Sequence, residues 1–177
     1  LGYGDRIRYK LIDQCDSRHI MMSTIIFSKN KSFKNIVEIG GGYGNWYRLN
    51  RNLINFDKWI IIDLPFCSDL QKWYLEREIG SCDKLDFKSA YNYTIEDSID
   101  LVIAAHSLSE LSWEDFLVYY DKVLAKTNKL FYAGHRWNCG EEMLTNKLNK
   151  ILEDFDLIES HMEENDTVYN NLYVRKI

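Results

Sequence analysis

Residues 38 to 44 are Glu-Ile-Gly-Gly-Gly-Tyr-Gly, and no other stretch of the chain restricts its fold so narrowly. The run Asn35-Ile36-Val37-Glu38-Ile39 ahead of it is short, β-branched and stopped by glycine, the pattern of a buried strand. Behind it, Asn45 to Asn55 places Trp46, Leu49 and Leu53 at helical spacing. A glycine-rich turn between strand and helix lets a ligand approach the backbone closely. It also aims free N–H groups and the helix dipole at that ligand.

The remainder of the chain repeats this alternation. Lys58 to Asp63 is expected to form the second strand, and Pro65 to open the next helix, with Leu70, Trp73 and Tyr74 along it. Lys84 to Lys88 is a weaker third strand and Ile99 to Ala105 a strong fourth. Ser112, with Asp115 three residues on, caps a helix that buries Phe116, Leu117, Tyr120 and Leu124. Lys129 to Ala133 is the fifth strand, ended by Gly134. A helix carrying Met143, Leu144, Leu148 and Ile151 follows. Phe155 to Met162 and Thr167 to Lys176 are adjacent strands joined by the polar turn of residues 163–166. One helix is expected around Asp16 to Ser28. The expected architecture is α/β: a doubly wound, mostly parallel sheet with an antiparallel terminal strand and helices on both faces.

The length of 177 residues fits one domain, with a helical segment over 1–34 and the sheet core over 35–177. The start at Leu1 rather than Met is read as a domain excised from a longer chain. A net charge of -5 and a pI near 5.4 argue against a duplex nucleic-acid binder, which needs a dense Lys/Arg face. The cysteines at 15, 67, 82 and 139 lack CxxC spacing, so reduced thiols in the cytoplasm are expected. No run approaches the roughly 18 apolar residues of a membrane span, so no membrane partner is expected.

The dinucleotide pattern GxGxxG, started at Gly40, requires glycine at position 45, where the chain has Asn45. What stands instead is Glu38-x-Gly40-x-Gly42-x-Gly44, which resembles the first motif of class I S-adenosylmethionine-dependent methyltransferases. That resemblance implies a Rossmann-like fold, with S-adenosylmethionine as donor and S-adenosylhomocysteine as product. It assigns Glu38, Gly40, Gly41, Gly42 and Gly44 to the cofactor. Asp63 lies 19 positions after Gly44 at the end of the second strand, where a carboxylate can accept from both ribose hydroxyls or cap the helix that begins at Pro65. Leu64 beside it, Ser89 and Ala90 after the third strand, and Ala105 at the end of the fourth complete the cofactor set that the family implies.

A narrower resemblance covers residues 35 to 111. Val37 to Asn45, the block Ile62-Asp63-Leu64-Pro65 with Leu70-Gln71 and Tyr74-Leu75, and His106-Ser107-Leu108-Ser109-Glu110-Leu111 are similar to the sugar O-methyltransferase family. The family implies a sugar or glycan hydroxyl as acceptor. The short N-terminal part leaves little material for an acceptor lid, as it would in a domain fused to glycosyltransferases in glycan-building proteins of large DNA viruses.

Methyl transfer is an in-line displacement, so the protein chiefly aligns the acceptor oxygen with methyl and sulfur. A positioned base helps by taking the hydroxyl proton. His106 is the first candidate, His135 the second, and Glu110 could accept that proton, orient the histidine or bind sugar hydroxyls. Ser107, Tyr43 and Arg136 are candidates for holding the acceptor. Trp46, Trp113 and Trp137 could stack on a sugar, although core packing is the more frequent use. A metal is not indicated: Glu110 and the Glu141-Glu142 pair stand apart, and no Asp follows the fifth strand. The competing readings are an NAD oxidoreductase, which Asp63 would serve equally, a catalytically silent binding module, and a methyltransferase for a small non-sugar metabolite. The absence of an NPPY-type sequence at Ala105-His106-Ser107-Leu108 disfavours amide or base nitrogen as acceptor.

Overall fold

The computed structural model describes residues 14–28, 30–96, 98–135, 140–162 and 168–177. Seven strands form one sheet: β1 (Ser32–Ile39), β2 (Asn55–Asp63), β3 (Leu85–Ser89), β4 (Leu101–Ala105), β5 (Lys129–His135), β6 (Phe155–Met162) and β7 (Val168–Arg175). Five α-helices accompany them: α1 (Gln14–Phe27), α2 (Asn45–Asn50), α3 (Pro65–Ile79), α4 (Trp113–Lys122) and α5 (Glu141–Asp154). The strand order is β3-β2-β1-β4-β5-β7-β6. The pairs β1–β2, β1–β4, β2–β3 and β4–β5 are parallel. β7 is antiparallel to both of its neighbours, β5 on one side and β6 on the other. The expected α/β class, the parallel majority and the antiparallel final strand are all present.

Helices cover both faces because the central strands are apolar on both. Val37, Ile39, Val102 and Ala104 pack with Phe116 and Tyr120 of α4 and with Leu144 and Ile151 of α5. Ile36, Leu101 and Ile103 point the other way, toward Met22 of α1, Trp46 of α2 and Leu75 of α3. Successive strand residues alternate faces, so a continuous β-branched run serves two cores at once. α1 is tied to α2 by an ion pair between Asp16 and Arg48 and by Asn45 Nδ2, which donates to Asp16 Oδ1 over 2.9 Å.

Several boundaries differ from the sequence expectation. α2 stops at Asn50 rather than Asn55, because residues 51–53 form a turn and Asn55 already belongs to β2. Its end is fixed by Asn50, whose buried side chain donates to Trp46 O and Ser23 Oγ. Gly134 does not end β5, which continues to His135. A Cβ at Gly134 would lie 2.6 Å from both Ser109 Cβ and Tyr169 Oη, so this glycine makes room for the loop after β4. The Ser112 cap is present: its hydroxyl accepts from the Asp115 N–H over 3.1 Å. The expected turn at 163–166 lies outside the described residues.

Candidate active site

β1 pairs with β2 on one side and β4 on the other, so the chain connections diverge there and leave a crevice beyond the strand ends. A cavity of about 520 Å³ occupies that place, within the usual range for small-ligand sites. Its walls come from four segments: Gly40 and Gly42 after β1, Asp63 and Leu64 after β2, Ala90 and Tyr91 after β3, and residues 105–107 with Glu110 and Leu111 after β4. Cys67 of α3 and Asp115 and Tyr119 of α4 complete it.

The glycine loop is shaped by backbone that other residues rarely adopt. Gly40 has φ +72°, and a Cβ there would lie 2.6 Å from Ser107 Cβ. Ser107 in turn donates from Oγ to Ile39 O over 2.5 Å, so the loops after β1 and β4 are packed directly together. Gly42 has φ +57°, yet a Cβ there would meet no atom within 4 Å. Its bare backbone therefore faces open space at the cavity wall, as close ligand approach requires. Gly41 and Gly44 stand off the wall, against Ile61 and Leu75 respectively.

Asp63 is fixed on two sides. Its Oδ1 accepts from Leu64 N over 2.8 Å, and its Oδ2 accepts from Gln71 Nε2 over 2.7 Å. The same Gln71 nitrogen donates to Gly42 O over 3.0 Å. The carboxylate lines the cavity, and α3 has no side-chain cap: Asp63 bonds the N–H of Leu64, the residue before the helix, so of the two roles open in the sequence the capping one is not realised.

Glu38 lies elsewhere. It is buried behind the loop, off the cavity wall, and accepts from the Trp59 indole N–H over 2.9 Å. Its other carboxylate oxygen has no hydrogen-bond partner among the described residues. Burial raises its carboxyl to about 8, against the lowering effect of the Trp59 bond and with a further upward push from Asp63.

His106 stands at the cavity with φ +66°, the one positive φ at a non-glycine among the described residues. Such backbone is uncommon and persists where the surroundings enforce it. Here His106 N donates to Ala133 O over 2.8 Å and His106 O accepts from Ser109 Oγ over 3.2 Å. Both ring nitrogens are shielded from solvent and have no hydrogen-bond partner among the described residues. Burial holds the imidazole down at about 4, and His135, Arg18 and His19 add to the effect. The His135 ring stacks on it at 4.6 Å between centroids, although His135 itself does not line the cavity.

The remaining candidates are distributed as follows. Ser89 is off the wall, and its hydroxyl accepts from Tyr91 N over 3.3 Å, holding the turn that carries Ala90 and Tyr91. Tyr43 is off the wall and packs edge-on against Tyr74 at 5.0 Å. Glu110 is exposed at the rim. Trp46 is core, Trp113 is packed against core residues, and Arg136 and Trp137 lie outside the described residues. His19 contacts Asn45 and Trp46, and exposed His161 pairs with Glu159. Cys67, Leu111, Asp115 and Tyr119 were not anticipated as wall residues, nor Gln71 as the support of Asp63 and Gly42. Glu110 and the Glu141-Glu142 pair belong to no metal-sized cluster of three His, Cys, Asp or Glu among the described residues. No described helix is long and apolar enough to cross a membrane.

No protein-family model matches the sequence, and no curated protein matches it significantly. Solved structures do match the fold. NodS, an N-methyltransferase from Bradyrhizobium japonicum WM9 in complex with S-adenosylhomocysteine, aligns with a TM-score of 0.72 at 12% identity, covering 91% of this chain and 87% of that one. The methyltransferase domain of bacterial CtHen1-C aligns at 0.71 and 11% identity, covering 90% and 97%. The mitomycin 7-O-methyltransferase MmcR aligns at 0.64 and 12% identity, covering 91% of this chain and 55% of that one. The architecture is therefore the Rossmann-like methyltransferase fold.

Proposed function

We propose that this chain is an S-adenosylmethionine-dependent O-methyltransferase whose acceptor is a hydroxyl of a sugar or glycan. The observation that carries this reading is the cavity itself. It sets bare glycine backbone, an anchored ribose-type carboxylate and an unpartnered imidazole around one space beyond the ends of β1 and β4. The fold's neighbour NodS, crystallised with S-adenosylhomocysteine, supports the choice of cofactor.

The residues fit that group. Asp63, Glu110 and Asp115 line the cavity, and no Lys or Arg lines it among the described residues. Such walls suit a ligand bearing an ammonium and a sulfonium. The cofactor, when bound, supplies a methyl group already activated on a positively charged sulfur. Gly40 and Gly42 would present backbone to its amino-acid end, Asp63 would accept from its ribose hydroxyls, and Leu64, Ala90 and Ala105 would enclose its apolar surface. Glu38 would stiffen the loop from behind through Trp59 rather than touch the ligand.

His106 is assigned the proton. Held at about 4, the imidazole is unprotonated at neutral pH, and its ring nitrogens have no hydrogen-bond partner among the described residues. So weak a base takes the hydroxyl proton only as the oxygen bonds to carbon and becomes acidic. His135 backs its ring, and Glu110 at the rim would pass the proton to water or hold neighbouring hydroxyls. Ser107 at the wall and Tyr43 beside the loop are assigned to the acceptor side. Arg136 is assigned to acceptor binding on sequence grounds alone. The sugar acceptor rests on the similarity of residues 35–111 to sugar O-methyltransferases. The carboxylate-rich wall agrees with it, since an uncharged acceptor avoids the repulsion that a polyanion such as RNA would meet.

Calorimetric titration with S-adenosylmethionine, S-adenosylhomocysteine and NAD tests the reading. Micromolar affinity for the sulfur compounds alone is expected, followed by methyl transfer to deoxysugar or polysaccharide acceptors. A folded protein that binds neither sulfur compound overturns it, and binding without turnover on any acceptor identifies a silent binding module.

A further inference from the structure

Lys147 of α5 is 0% exposed. Long cationic side chains are almost never fully buried unless their charge is matched. Its Nζ donates to three backbone carbonyls: Leu108 O at 3.1 Å, Ser109 O at 3.2 Å and Leu111 O at 2.6 Å. It also lies 5.9 Å from the centre of the Phe116 ring. All three carbonyls belong to the loop that leaves β4 at His106, and that loop supplies His106, Ser107, Glu110 and Leu111 to the cavity.

An apolar side chain of the same volume would fill this space at lower desolvation cost. It would also leave inward-facing carbonyls without donors. The ammonium does what packing cannot, because it dictates the direction in which successive peptide groups point. The loop needs such direction. It begins with left-handed backbone at His106 and must bring Ser109 flush against Gly134.

We propose that Lys147 is the positioning residue of the loop after β4, its buried ammonium fixing the carbonyls of Leu108, Ser109 and Leu111 so that His106 and Glu110 are presented to the cavity. The inference rests on the reading of His106 as the proton acceptor, but its test uses the protein without cofactor or acceptor, so the two can fail separately.

The experiment follows the His106 ring by NMR titration and the Glu110 amide by hydrogen exchange in the wild type, Lys147→Met and Leu144→Ala. Leu144 is a buried apolar residue of the same helix whose side chain carries no hydrogen-bonding group, so its truncation loosens the core while keeping the ammonium. In Lys147→Met the His106 midpoint is expected to rise from about 4 toward the ordinary value of 6.5 as the loop admits water, with Glu110 exchange accelerating at least about tenfold. In Leu144→Ala both readouts should stay at wild-type values. Wild-type behaviour of both in Lys147→Met overturns the proposal, as does an equal change in Leu144→Ala. Should Lys147→Met fail to fold, Lys147→Gln takes its place under the same criteria. The unmodified protein gives an independent check, because Glu110 donates its amide to Ser107 O within the loop. Protection of that amide comparable to the α5 amides supports the tie. Exchange of Glu110 at the rate of an open turn, with α5 protected, sinks it.

Discussion

The side-chain nitrogen of Gln71 stands 2.7 Å from Asp63 Oδ2, and the same nitrogen reaches Gly42 O at 3.0 Å. One buried amide on α3 therefore sets the distance between the glycine loop and the carboxylate assigned to the ribose. Gln71→Ala should weaken S-adenosylhomocysteine binding by about 10- to 100-fold, the scale of one hydrogen bond to a charged group. Gln71→Glu should weaken it further, by placing a second negative charge against Asp63. Calorimetry on the two variants measures both, and wild-type affinity in Gln71→Ala would falsify the tie.

Gly40 and Gly42 should separate in their effects. Gly42→Ala places a methyl in open space at φ +57°, at a folding cost of about 1–2 kcal/mol from backbone alone. Its larger effect should fall on cofactor affinity, because the methyl occupies the approach face. Gly40→Ala adds a contact of 2.6 Å with Ser107 Cβ, so it should lose more stability than Gly42→Ala. Urea unfolding beside titration with S-adenosylhomocysteine checks the order; equal stability losses would contradict it.

Glu38 and His106 should tilt the pH–stability curve in opposite senses. The Glu38 carboxyl, raised from 4.5 to about 8, binds its proton more tightly folded than unfolded. Its contribution is fully present below about pH 4.5 and is lost as pH climbs through 8. The His106 imidazole, lowered from 6.5 to about 4, behaves in reverse: its contribution is present above pH 6.5 and is lost as pH falls through 4. Glu38→Gln keeps an oxygen for the Trp59 N–H but cannot ionise. Its melting temperature should exceed that of the wild type at pH 8 and lose the decline between pH 6 and 8. Parallel melting curves for the two proteins across that range would refute the assignment.

His106→Asn should preserve the loop and remove the proton acceptor. Asparagine tolerates left-handed backbone better than most residues, so stability should hold. Methyl transfer should drop about 10²- to 10⁴-fold, the usual contribution of a positioned base. In the wild type the acid limb of the rate profile should fall near pH 4 rather than 6.5, because the imidazole is already unprotonated above that. A limb at the ordinary histidine value would place the proton elsewhere.

The sheet was legible because its strands are β-branched runs bounded by glycine, proline or polar turns. Ile60-Ile61-Ile62 before Leu64-Pro65, and Leu101-Val102-Ile103 before His106, leave few alternatives. Strand starts were less legible: Ser32 to Lys34 and Asn55 to Asp57 are mostly polar, and their pairing is set by neighbouring strands. The glycine loop, Asp63 and His106 were read from positions at strand ends, which topology carries to one crevice. Tyr119 and Asp115 were missed because they reach the cavity through the packing of α4, which no local pattern encodes. Gln71 and Lys147 were missed for a related reason. On a helix each resembles a solvated polar residue, and only the fold shows that both are sealed inside.

The contact between Gly40 and Ser107 limits how this cavity could come to take a different ligand. Two loops that fill each other's space behave as one inherited part, so replacing either wholesale would disable the other. Innovation is channelled to positions that line the cavity without joining that contact and without carrying charge toward the cofactor, Leu111 and Tyr119 among them. Libraries randomised there should yield new acceptor preferences while leaving cofactor capture intact.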